Sequence, residues 1–105
     1  RAQRASAILH AEMDALENAG RLSAKDYGRA TLYSTLSPCD MCSGSALLYK
    51  IPKIVIGENR TFQGPEDYVS SRGVELVILD DPTCIRLMEE FIAARPELWN
   101  KDIGE

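Results

Sequence analysis

Apolar residues along this 105-residue chain fall in short blocks whose spacing switches repeatedly between helical and strand-like. Ile8 to Ala19 is rich in Ala, Leu, Met and Glu, with Ser6 available as a cap and Gly20 as a stop, which predicts a helix. Thr31 to Leu36 (TLYSTL) holds β-favouring residues in partial alternation and ends at Ser-Pro, which predicts a strand. Ser37, Pro38 and Asp40 then suit a cap, a first helical position and a capping-box acid. A second helix is predicted from there to about Lys50, before Ile51-Pro52 breaks it. Lys53 to Gly57 (KIVIG) reads as a short buried strand, and Pro65 to Arg72 as a short helix closed by Gly73. Val74 to Leu79 (VELVIL) is nearly all apolar, as in a strand covered on both faces. Asp81-Pro82 opens a last helix to about Arg95, where Pro96 interrupts it.

Strands that alternate with helices imply right-handed crossovers and a mainly parallel sheet, hence the α/β class. Active groups in such sheets gather beyond the C-terminal strand ends, where Ser37-Pro38-Cys39 falls. Residues 1–105 hold no repeat, low-complexity tract or linker and read as a single domain.

Composition narrows the partners. Apolar content of 45% and charged content of 27% are ordinary for a soluble globular protein, and no apolar run is long enough to span a bilayer. A net charge of −4 argues against a polyanionic partner such as nucleic acid. Arg1, Arg4, Arg21, Lys25 and Arg29 gather near the start, but acidic residues lie among and after them, as on a solvated face. A small neutral substrate fits better. The chain begins at Arg1 without a Met or a signal peptide, so it is expected to lack its natural start. Three cysteines form no even disulfide set, which points to a reducing compartment and a cytoplasmic location, with the nucleus also open.

Two cysteines carry chemistry. Cys39 and Cys42 stand three apart at a helix start, so both thiols share one face and the helix dipole favours thiolate, the form that binds metal. Alone, the C-x-x-C fits a redox pair or a structural metal site equally. His10, the only histidine, would be a packed or surface residue were it not for its position in the first turns of a helix. Two helix N-termini facing one crevice would join one imidazole to two thiolates and leave a fourth coordination position for water, the arrangement of a catalytic zinc. Two residues subtend about 200° on a regular helix. His10 and Glu12 therefore serve one site only if they straddle the irregular opening turn. Ile8, Ala15 and Ala19 would flank Glu12 with apolar surface, and burial would raise its pKa towards a general acid–base; the plain alternative is an acid favouring the first helical turn.

His10-Ala11-Glu12 and Pro38-Cys39-Asp40-Met41-Cys42 resemble the H-x-E…P-C-x-x-C pattern of the zinc nucleoside and nucleobase deaminases, in which the Glu is proton carrier and not ligand. Within that superfamily the chain resembles the fungal-type cytosine deaminases along essentially its whole length. LENAGRL, TLYSTLSPCDMC, IPKIVIGEN, the SRG turn and the tail ARPELWNKDIGE carry the likeness.

The resemblance implies a three-layer α/β/α cytidine-deaminase-like fold with a mainly parallel central sheet. It also implies that the N-terminal helix and first two strands of the family, with an Asn that meets the base, are missing here, which would uncover part of the sheet. It implies one zinc ion per chain held by His10, Cys39 and Cys42, a homodimer, and hydrolysis of cytosine or its analogues to uracil and ammonia in pyrimidine salvage. Hydroxide formed from zinc-bound water would attack C4, with Glu12 as proton shuttle. Phe62 and Trp99 would wall the pyrimidine, Asp102 and Ile103 would lie in a closing tail with Asp102 on the exocyclic amine, and Leu36-Ser37 would offer that amine a backbone carbonyl. Without the resemblance Trp99 reads as a core or interface anchor and Phe62 as a loop residue. Two rivals stay open. One is deamination of another base, such as adenosine in transfer RNA. The other is a non-catalytic zinc module in which Cys84 closes a Cys₃His site; against it, Cys84, Leu87, Met88, Phe91 and Ile92 form one apolar helical stripe directed at the core.

Overall fold

Ile54 and Ile56 in the KIVIGE segment are 1% and 0% exposed, and the architecture follows from covering them. Burying such a side chain is worth about 1.5–3 kcal/mol. The computed structural model describes residues 6–105; Arg1 and Arg4 of the basic cluster lie outside them. The strands are β1 (Thr31–Leu36), β2 (Lys53–Glu58) and β3 (Glu75–Ile78), in the order β1-β2-β3 and all parallel. The helices are α1 (Ala11–Ala19), α2 (Ala24–Tyr27), α3 (Asp40–Leu48), α4 (Glu66–Ser71), α5 (Pro82–Ala94) and α6 (Pro96–Asp102).

Register aligns Leu32, Ile54 and Leu76 across the sheet, so one face is a continuous apolar surface. Ala46 of α3 and Val69 of α4 pack there with Ile51 and Val74, and Leu16 of α1 joins them. α5 covers the other face over β1 and β2, where Gly57 meets Cys84: a β-carbon on Gly57 would stand 2.5 Å from Cys84 Sγ. Helices on both faces of a parallel sheet bear out the α/β expectation, and α3 and α4 are the crossovers that parallel pairing requires. Among the described residues no helix is long and apolar enough to cross a membrane.

Several boundaries differ from expectation. α1 starts at Ala11, not Ile8, and Ser6 is not its cap: Ser6 Oγ accepts from the N–H groups of Ile8 and Leu9 at 3.3 and 3.2 Å, closing a separate turn upstream. His10 takes the cap position instead. Likewise Ser37 and Pro38 do not open α3, which begins at Asp40 with Cys39 as N-cap. β3 is not covered on both faces: Leu79, on the α5 side, is 56% exposed because α5 leans over β1 and β2, and Ile78, on the opposite face of this edge strand, is 37% exposed. The short α2 and the tail helix α6 were not anticipated; Pro96, expected only to interrupt α5, sits at the start of α6. Gly73 does close α4, with φ of 90° in the left-handed region open to glycine. Asp81 caps α5 as expected, accepting from the N–H groups of Thr83 and Cys84 at 2.8 and 3.1 Å.

Candidate active site

β1 delivers the chain at its C-terminal end into Ser37-Pro38-Cys39, and α3 begins at once. Cys39 at the cap and Cys42 in the first turn therefore lie on the same side of that helix end. The start of α1 comes up opposite. His10 Nδ1 is 3.5 Å from Cys39 Sγ and 3.7 Å from Cys42 Sγ, and all three donor atoms lie within 4.8 Å of one another. Tetrahedral zinc with Zn–N of about 2.0–2.1 Å and Zn–S of about 2.3 Å separates nitrogen from sulfur by about 3.6 Å. The donor set fits a zinc ion. Three donors leave a fourth position free, and Cys84 is not one of the group.

The two thiols are set apart electrically. Cys39 is pulled down to about 5, first because the Cys42 thiol donates to its sulfur and then through the helix-start N–H of Cys42 and the nearby His10. Cys42, fully buried, is pushed up for the same reason, by its bond to Cys39 and then by burial and the Glu12 charge. Near neutral pH the metal-free pair thus holds one proton between two sulfurs. Zinc binding at pH 7 is expected to expel about one proton from this pair, where two unperturbed thiols would lose two. Zinc titration calorimetry in buffers of differing ionisation enthalpy measures that number.

Glu12 occupies the second position of α1, so the motif does straddle the opening turn. Its carboxyl stays outside the donor set, near enough to the Cys42 thiol for each to affect the other's protonation. Burial pushes its pKa above the usual carboxylate value, the Cys39 charge adds to this, and His10 and Cys42 oppose it. The burial does not come from the expected apolar neighbours. Ile8, Ala15 and Ala19 are all exposed, and the side chains that act on the carboxyl are Cys39, His10 and Cys42.

A cavity of about 310 Å³ opens beside His10 and is lined by Leu36, Trp99 and Asp102 over a floor of Met88 and Phe91. Phe62 and Ile103 line an adjoining depression against Cys39. Trp99 of the first and Phe62 of the second form an edge-to-face pair with centroids 5.8 Å apart. The structure thus gathers Leu36, Phe62, Trp99, Asp102 and Ile103 around the donor set. Glu12 is not among the residues that line either hollow. The Ser37 side chain lines neither: it is 2% exposed and turned to Glu66 and Gly64. The α5 stripe also needs correction, since Leu87 is 53% exposed and borders the cavity with Met88 and Phe91 instead of facing the core.

Three residues that the sequence reading passed over shape this site. Glu58 is 0% exposed and accepts from the N–H groups of Arg60 and Thr61 at 2.7 and 3.0 Å and from the Thr61 hydroxyl, pinning the loop that carries Phe62. Its signal was present: it continues the Ile54, Ile56 alternation, which puts a carboxyl on the buried face. Glu66 ties the same loop to Ser37. Gly64 packs so tightly that a β-carbon would lie 1.8 Å from Pro38 O, next to a donor cysteine. Gly64→Ala must displace backbone on both sides. A destabilisation of about 1–3 kcal/mol is expected, with weaker zinc binding, read by thermal melts and competitive zinc titration.

The fold and the donor set together define a zinc deaminase, and the chain belongs to that family: residues 1–58 match the cytidine and deoxycytidylate deaminase zinc-binding region. The likeness extends well beyond those residues. Cytosine deaminase of Candida albicans is 55% identical over 105 residues, covering 100% of this chain and 70% of that protein. A tRNA-specific adenosine deaminase of Bacillus subtilis is 43% identical over 51 residues, 48% of this chain and 32% of that protein. One from Streptococcus pyogenes is 40% identical over 65 residues, 57% of this chain and 39% of that protein.

Proposed function

We propose that this chain is a zinc-dependent cytosine deaminase, hydrolysing cytosine and water to uracil and ammonia in pyrimidine salvage. The observation that carries the reading is the His10–Cys39–Cys42 triangle, with one side free, beside a cavity bordered by an aromatic pair. Similarity to a cytosine deaminase over 105 residues supports the choice of base.

When bound, zinc supplies Lewis acidity that makes water a usable nucleophile near neutral pH. His10, Cys39 and Cys42 hold the ion. Glu12, with its raised pKa, takes a proton from the attacking water and delivers it to the ring nitrogen beside C4. Oxygen bonds to C4, Glu12 takes the second proton from that oxygen and passes it to the exocyclic nitrogen, and the C4–N bond breaks to leave the C4 carbonyl of uracil and free ammonia. Phe62 and Trp99 form an aromatic wall against which the ring packs. Asp102 and the backbone carbonyl of Leu36-Ser37 accept from the amine, and Ile103 closes the tail over the base. Residues 1–105 act as one deaminase domain. Three free cysteines suit the reducing cytoplasm. A homodimer is the working assembly, which would cover part of the exposed apolar surface around Ile8, Leu22 and Tyr49.

The matches to tRNA-specific adenosine deaminases favour a second reading, deamination of adenosine in RNA. The net charge of −4 weighs against it. Metal analysis with ammonia release from free cytosine and from adenosine-containing RNA separates the two. Zinc-loaded protein that is inert on cytosine and active on RNA overturns the proposal.

A further inference from the structure

Ser37 is tied in three directions although its side chain faces no cavity. Its N–H donates to Glu58 O at 3.0 Å, its hydroxyl accepts from the Gly64 N–H at 2.9 Å, and the same hydroxyl donates to Glu66 Oε2 at 2.7 Å. The other oxygen of Glu66 accepts from Asn59 Nδ2 at 3.1 Å and Gln63 Nε2 at 3.4 Å, so both ends of the Phe62 loop end on one carboxyl. Glu66 itself lines neither hollow of the site. It joins the segment leading to the zinc ligands, through Ser37, to the wall that carries Phe62.

We propose that Glu66 is a positioning residue for base selection: through Ser37 it holds the Phe62 loop so that Phe62 keeps its edge contact with Trp99, and so fixes the aromatic wall against which the pyrimidine packs. This rests on the deaminase reading. His10, Cys39, Cys42 and Glu12 make none of the Glu66 hydrogen bonds, so the link acts first on the wall that carries Phe62.

Glu66→Gln keeps one oxygen for Asn59 and Gln63 but turns an amide N–H₂ towards Ser37, leaving that hydroxyl proton without its acceptor. Ser37→Ala removes the same link from the other side with little loss of volume. Losing a hydrogen bond to a carboxyl of this kind changes an equilibrium by about tenfold. In the zinc-loaded full chain, Glu66→Gln is expected to raise KM for cytosine about tenfold with kcat within about threefold and to narrow the preference for cytosine over 5-methylcytosine, and Ser37→Ala to raise KM by a similar factor. The double variant should be no worse than either single one, since both cut one link. Trp99 is the only tryptophan, so its emission reports on the Phe62 contact without turnover, and a shared shift in both variants is expected. Unchanged KM and emission, additive effects in the double variant, or a fall in kcat with zinc loss each overturn the proposal. Wild-type protein with no turnover of cytosine sinks the deaminase reading, and Trp99 emission then decides the Glu66 link alone.

Discussion

Glu12→Gln is expected to keep zinc bound and to lower kcat on cytosine by about 10²–10⁴-fold, the range over which a positioned acid–base acts. The carboxyl is not one of the zinc donors, so its conversion to an amide of the same size leaves the ion in place. What disappears is a group able to accept and return a proton. In the metal-free protein burial raises the carboxyl pKa, so its protonated form persists above the usual carboxylate range. The same shift carries a stability statement. A carboxyl whose folded pKa is raised above its unfolded value of 4.5 contributes stability at low pH and loses it as pH rises through the folded pKa. In metal-free protein near neutral pH the ionised carboxylate is therefore a liability, and Glu12→Gln should melt higher than wild type. Metal analysis, ammonia release and melts of the chelated protein read the three effects. Turnover by Glu12→Gln at the wild-type rate would remove the proposed proton carrier.

Cys42→Ala should be the second large effect. The thiol is fully buried and one of the three donors found among the described residues, so its removal leaves two of them and an unfilled volume. Changing a residue that merely supports a metal ligand already costs about 10–100-fold in affinity. Loss of a ligand should exceed the upper end of that range and take measurable turnover with it. Metal binding adds to folding stability wherever the unfolded chain binds it poorly, so the melting temperature in excess zinc should fall as well. Cys84→Ser is the control. Its sulfur packs against Gly57 on the opposite face of the sheet, outside the donor set, and zinc content and turnover should persist. Zinc loss from Cys84→Ser would revive the closed structural site; zinc retained by Cys42→Ala would remove Cys42 as a ligand. Wild-type protein stripped by a chelator should regain activity on adding zinc, and Cys42→Ala should not.

The parallel sheet was legible because each strand is short and β-rich and each connection long enough for a helix, a pattern that needs only local information. His10, Cys39 and Cys42 were legible through a motif whose internal spacing is local to one helix start or the other. The start of α1 was misjudged because Ser6 does make the hydrogen bonds of a cap, but to a turn that closes before the helix begins. Propensity cannot tell the two apart. Glu58 and Glu66 went unrecognised for another reason. Their partners include neighbours in the same loop, whose conformation is set by Gly64 fitting under Pro38, and Ser37, which lies 29 residues from Glu66.

Residue order alone determined what depends on a few neighbouring peptide units: the helix–strand alternation, the thiols on one helix face, and the H-x-E spacing that puts Glu12 just inside its helix. Tertiary structure decided every distance across the chain. It brings the His10 imidazole within 3.5 Å of a sulfur 29 residues away, sets Glu12 beside the Cys42 thiol, and turns Leu87, Met88 and Phe91 of the α5 stripe towards the cavity. The physical reason is that caps and periodicity act through hydrogen bonds a turn or less in length. Packing that meets at a crevice depends on how whole helices settle on the sheet, and no local spacing encodes that.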